Sequence, residues 1–96
     1  MNKAQKLFLA KYGSSKHLDK LSNDEAWNVR YHVAQHPNLT KEHLDKLVND
    51  EDWGVRSWVA RNPNATKEHL DKLSNDKEWN VRYRAKDRLE KGDYKE

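Results

Sequence analysis

Apolar residues recur in short pairs separated by polar stretches, and the same order returns every 26 residues. Leu18 and Leu21, Leu44 and Leu47, and Leu70 and Leu73 stand at i and i+3, which makes one narrow apolar edge on a short helix. After each pair comes a W-x-V-R element: Trp27, Val29 and Arg30; Trp53, Val55 and Arg56; Trp79, Val81 and Arg82. On a helical wheel turning about 100° per residue, Val55, Val59, Arg56, Ala60 and Trp53 fill one arc, and Gly54, Ser57, Trp58 and Arg61 fill the other. The first arc is the expected packed face, so Trp27, Trp53 and Trp79 are expected in the core.

The punctuation between these runs predicts the element boundaries. Ser14, Thr40 and Thr66 are placed to cap the leucine helices, with Glu42 and Glu68 where the helix dipole favours an acid. Asn23, Asn49 and Asn75 are expected to stop those helices in the left-handed conformation that asparagine tolerates. Asp24, Asp50 and Asp76 are then expected to cap the second helices. His36-Pro37-Asn38 and Asn62-Pro63-Asn64 end the second helix of the first two copies, since proline removes a donor and disfavours helix in the residue before it. In the third copy Leu89 stands where that proline would be, so the last helix runs on, with Ala85 and Leu89 at i, i+4, until Gly92. Residues 1–13 read as an N-terminal capping helix ended by Gly13, residues 14–39, 40–65 and 66–91 as the three units, and residues 92–96 as a frayed charged tail.

Composition narrows the picture. Of 96 residues, 34% are hydrophobic and 36% charged, so the core is thin, yet four Trp and four Tyr mark a folded chain. There is no Cys, which removes disulfides and thiolate metal sites and fits a reducing cytoplasm. No apolar run reaches signal-peptide or membrane-span length, so a soluble cytoplasmic protein without a membrane partner is expected. The net charge of +3 sits at the ends, where Lys3, Lys6 and Lys11 precede the first unit without an acid. The middle unit sets Glu42, Asp45, Asp50, Glu51 and Asp52 against Lys41, Lys46, Arg56 and Arg61. A chain built to track phosphates would carry its basic stripe there instead.

The order L-x-x-L, N-D, W-x-V-R-x-x-V-A, N-P and then a helix-starting Thr resembles the variant leucine-rich repeat of bacterial proteins, over Ser14 to about Ala85. The Asp50, Val55, Arg56, Ala60 spacing is also similar to the second helix of HEAT repeats, whose units are longer. The resemblance implies units that pair an α-helix with a tighter 3₁₀-helix. The expected fold is therefore all-α: a right-handed α-solenoid of three 26-residue helical repeats with N- and C-terminal capping helices. The iron–sulfur module that some members carry does not transfer to a chain without Cys, and no cofactor is expected.

Candidate chemistry is sparse. The recurring Asp24, Asp50, Asp76 and Arg30, Arg56, Arg82 read as a structural ladder, each Arg meeting a neighbouring unit's carboxylate or carbonyl. His17, His43 and His69 recur too, but stacked helices stand roughly 8 to 10 Å apart whereas a zinc ligand lies ~2.1 Å from its metal, so no metal site is expected. His32 and His36 at i, i+4 lack a third ligand. No phosphate loop and no nucleophile with an assignable base is present, so the expectation is a non-enzymatic protein. The outward arc carries Tyr31, His32, Gln35, Ser57, Trp58, Arg61, Tyr83 and Arg84, with the composition of an interface and Trp58 as its expected anchor. An unidentified protein partner is expected first. Nucleic acid, stacked on Tyr31, Trp58 and Tyr83, is the alternative, and self-association through the same stripe is the third.

Overall fold

Seven-residue helices do not hold in water by propensity alone, so each leucine helix depends on what it packs against. In the computed structural model, which describes all of residues 1–96, the chain forms seven α-helices and no strands. They are α1 (Lys3–Tyr12), α2 (Ser15–Leu21), α3 (Trp27–Ala34), α4 (Lys41–Leu47), α5 (Trp53–Arg61), α6 (Lys67–Leu73) and α7 (Trp79–Lys91). Both helices of every unit are α-helical, so the 3₁₀ member implied by the resemblance does not form. Helices α1, α3, α5 and α7 pack side by side in that order, while α2, α4 and α6 each pack on the long helix that follows. The resulting body measures 40 × 25 × 15 Å.

The core is a line of equivalent positions. Leu18, Leu21, Leu44, Leu47, Leu70 and Leu73 meet Val29, Val33, Val55, Val59 and Val81, all at 1% exposure or less. Ala34 and Ala60 are buried at equivalent positions of α3 and α5, and Ala85 is buried at the position that Val33 and Val59 hold. No helix is long and apolar enough to cross a membrane.

Thr40 and Thr66 cap α4 and α6, each hydroxyl accepting from the backbone N–H three residues on, at His43 and His69. Other boundaries differ from expectation. The long helices open three residues after Asp24, Asp50 and Asp76, with Ala26, Asp52 and Glu78 at the cap position. Each earlier aspartate instead accepts the N–H two residues ahead, at 2.9 Å, and folds the connection into a turn. Asn23, Asn49 and Asn75 are not left-handed, since Gly92 at φ 66° is the one residue with positive φ. Their amides donate to the carbonyls of Asp19, Asp45 and Asp71, so they end the short helices with a side-chain bond rather than with special backbone geometry. The tail is not frayed: Asp93 N–H bonds Arg88, Lys95 N–H bonds the Ala65 carbonyl at 2.9 Å, and Tyr94 packs on the core.

Candidate interaction surface

Every unit boundary is bridged by polar side chains, and this seam decides which residues are left to face outward. Arg30 Nε and Nη2 donate to the two carboxylate oxygens of Asp50, at 2.7 and 3.2 Å. Arg56 repeats the fork on Asp76 at the same distances. The remaining Nη1 of each arginine turns back to its own unit's turn, Arg30 to the Asp24 and Glu25 carbonyls and Arg56 to the Asp50 carbonyl. At the ends the pattern changes. Lys6 of α1 takes the guanidinium's place on Asp24 at 2.8 Å, and Arg82 keeps only the Asp76 carbonyl. The Asp24 and Asp76 carboxyls are held below their ordinary value. For Asp76, burial pushes upward, but the hydrogen bonds from Arg56 and the Glu78 N–H outweigh it. For Asp24 the bond from Lys6 leads, against a smaller opposing effect of burial.

A second bridge uses the recurring histidines. His43 and His69 are buried, and Nδ1 of each accepts the backbone N–H of Thr40 or Thr66, at 3.1 and 2.9 Å. A backbone N–H can only donate, so the ring hydrogen lies on Nε2. There it donates to an aspartate of the preceding unit: His43 to Asp19, and His69 to Asp45 at 2.7 Å. His17 has no preceding unit and stands exposed. A third bridge runs through Asn62, whose amide donates to the Ala34 and His36 carbonyls at 2.9 and 3.0 Å. Arg88, the equivalent position one unit later, donates to Ala60 and Asn62 at 3.0 and 2.7 Å. Aspartates 19 and 45 recur as regularly as the histidines do, which was the available signal. For Asn62 and Arg88 the two residue types differ, so only the 26-residue period links them. No three metal-ligating side chains converge anywhere on the molecule.

With the seam inside, the tryptophans lie outside. Trp27, Trp53 and Trp79 are 55%, 48% and 68% exposed, against the expectation that they fill the core. Each is the first residue of its helix, and a helical side chain leans toward the N-terminus, so from this position it projects past the helix end and off the packed face. Trp58, the expected anchor, is partly buried against the core. It sits edge-on to Tyr31, with ring centroids 6.1 Å apart, beneath the Arg61 guanidinium at 5.2 Å.

Trp27, Tyr31, Asp52, Trp53, Gly54, Ser57, Trp58, Arg61 and Asn80 enclose a groove of about 610 Å³. Of the residues expected at an interface, it collects Tyr31, Ser57, Trp58 and Arg61. His32 lies edge-on to Tyr31 and the Gln35 amide donates to the Tyr31 carbonyl, both outside the lining. Tyr83 and Arg84 are not part of the groove either. Of the rest of the lining, Gly54 and Asn80 belong to the outward arc of the wheel, whereas Trp27 and Trp53 are expected in the core and are the residues missed. Gly54 matters because a Cβ there would stand 2.9 Å from Asp52 Oδ2 and 3.3 Å from the Tyr31 ring, so its absence lets Tyr31 lie against α5. No family model, curated protein or solved structure matches the chain.

Proposed function

We propose that the chain is a non-enzymatic protein-interaction module: a short right-handed α-solenoid of three 26-residue units of variant leucine-rich repeat type, working in the cytoplasm. The support for a solenoid is the ordered packing of α1, α3, α5 and α7 and the seams that join each unit to the next at equivalent residues. The observation that carries the interaction reading is the exposed row of Trp27, Trp53 and Trp79 beside an open groove. Large aromatics left half in water at every unit bury considerable area when a partner covers them, and such residues dominate interface energetics. The nucleic-acid alternative is disfavoured at this groove by Asp52 in its lining and Glu51 beside it. The test is a Trp27→Ala/Trp53→Ala double variant compared with the parent by crosslinking in host lysate and mass spectrometry. Loss of specific crosslinked proteins with an unchanged circular dichroism melt is expected. Identical crosslinks from both proteins would overturn the reading.

A further inference from the structure

We propose that the tryptophan row binds an extended, proline-rich segment in the polyproline II conformation that carries arginine or lysine; this rests on the interaction-module reading above. The first argument is spacing. Trp27, Trp53 and Trp79 each open one of three helices that pack side by side, so they are separated by the distance between packed helices, roughly 8 to 10 Å. A polyproline II helix rises about 3.1 Å per residue with three residues per turn, so it presents the same face every ~9 Å. One turn of ligand therefore matches one unit of this protein. An extended strand repeats its face every ~7 Å and falls out of step by the second unit.

The second argument is chemistry. Indole faces pack on proline rings and on basic side chains, and each indole N–H is a donor. A polyproline II backbone makes no internal hydrogen bonds, so its carbonyls are free to accept from those donors.

The third argument is charge. Of the acids along the edge where the tryptophans stand, Asp24, Asp50 and Asp76 are neutralised by Lys6, Arg30 and Arg56. Glu25, Asp52 and Glu78 form no ion pair, and Glu51, 90% exposed, lies 3.8 Å from Arg30, which is already committed to Asp50. Lys77 is the single base inside those turns; Lys20, Lys46 and Lys72 line the clefts next to them, and Arg82 has no carboxylate partner. The acids nearest the tryptophans, Glu25, Asp52 and Glu78, are thus left free to pair with a basic side chain of the ligand. Arg61, the groove's one cation, is already stacked on Trp58.

The experiment is fluorescence anisotropy of a labelled peptide, Arg-Pro-Pro repeated three times, titrated with the full chain across a salt series. Saturable binding that weakens as salt rises is expected. Trp53→Ala should weaken it about thirty-fold, the loss of one hot-spot residue, while the melt stays unchanged. Glu25→Gln/Glu51→Gln should weaken it less and flatten the salt dependence. A peptide of Arg-Ala-Ala repeats that binds as tightly would overturn the polyproline geometry, and Glu-Pro-Pro repeats binding as tightly would overturn the charge argument. Tighter binding of an oligouridine would overturn the proposal in favour of nucleic acid, and a mass that rises with protein concentration and is abolished by Trp53→Ala would assign the row to a second copy. If the peptide stays unbound while the tryptophan double variant still loses its crosslinked proteins, this inference falls and the module stands. If both experiments are silent, both fall.

Discussion

Trp53 and Arg56 sit three residues apart on one helix, and both recur in every unit, yet the apolar one is 48% exposed and the charged one 7%. The inversion follows from what each can reach. Arg56 lies where the next unit supplies a carboxylate and its own unit supplies a carbonyl, so its guanidinium leaves water with its donors engaged. Trp53 stands at the helix start, where no neighbouring helix covers it. In a thin core assembled from short units, burial goes to the residue that finds partners across the boundary rather than to the most hydrophobic one. Such ion pairs contribute little net stability over apolar packing, because desolvation offsets the attraction, but they are satisfied at one register alone. The seam sets how the units meet, and the row of tryptophans is left over as surface.

This comparison is broken most severely by removing the seam. Arg56→Ala leaves Asp76 buried without its partner, and a loss of about 3 to 5 kcal/mol is expected in urea unfolding, enough to leave much of a small chain unfolded. Replacing Arg56 with Met together with Asp76 by Leu should recover part of that, since neither charge is then stranded although the turn bond to the Glu78 N–H is lost. Asn62→Ala removes the donor shared by two carbonyls and should cost about 1 to 3 kcal/mol by the same measurement.

Acid provides a graded version of the same break. Asp24 and Asp76 titrate below their ordinary value of 3.8, so the stability they contribute is complete above that value and is lost as pH falls through the lower native values. The urea midpoint should therefore hold from neutral pH down to about 5 and fall below about 4, with a shallower fall in Asp76→Asn. A midpoint already dropping well above pH 5 would contradict this assignment to Asp24 and Asp76. The smallest effect is expected at the surface: Trp53→Ala should change stability by no more than about 1 kcal/mol, measured beside Arg56→Ala under identical conditions.

Much of the helical framework is legible in the residues. Pro37 and Pro63 cannot continue a helix, Thr40 and Thr66 offer a hydroxyl to a free first turn, and the Leu and Val positions keep helical spacing. The need of a recurring arginine for acceptors is equally readable, because a guanidinium does not leave water unpaired. The rest depends on position along the helix and on contacts between units. A helical wheel gives an angle but no height, so it placed Trp53 with Val55 on the packed arc and could not register that Trp53 lies past the covered turn. The turn made by Asp24, Asp50 and Asp76 uses the same residue type as a helix cap and delays the helix by three residues, a choice that local chemistry leaves open. His43 meeting Asp19, and Arg88 standing in for Asn62, join residues 24 and 26 apart, and these pairs exist only once the units are stacked.

The most direct test of the inversion is acrylamide quenching of the intrinsic tryptophan fluorescence of the folded chain. Three of the four indoles are about half exposed or more, so most of the emission should quench nearly as freely as that of free tryptophan, with the remainder from Trp58 protected by Tyr31 and Arg61. Emission that is blue-shifted and largely resistant to acrylamide would contradict the account, because it would return Trp27, Trp53 and Trp79 to the core and leave the proposed interaction surface without its anchors.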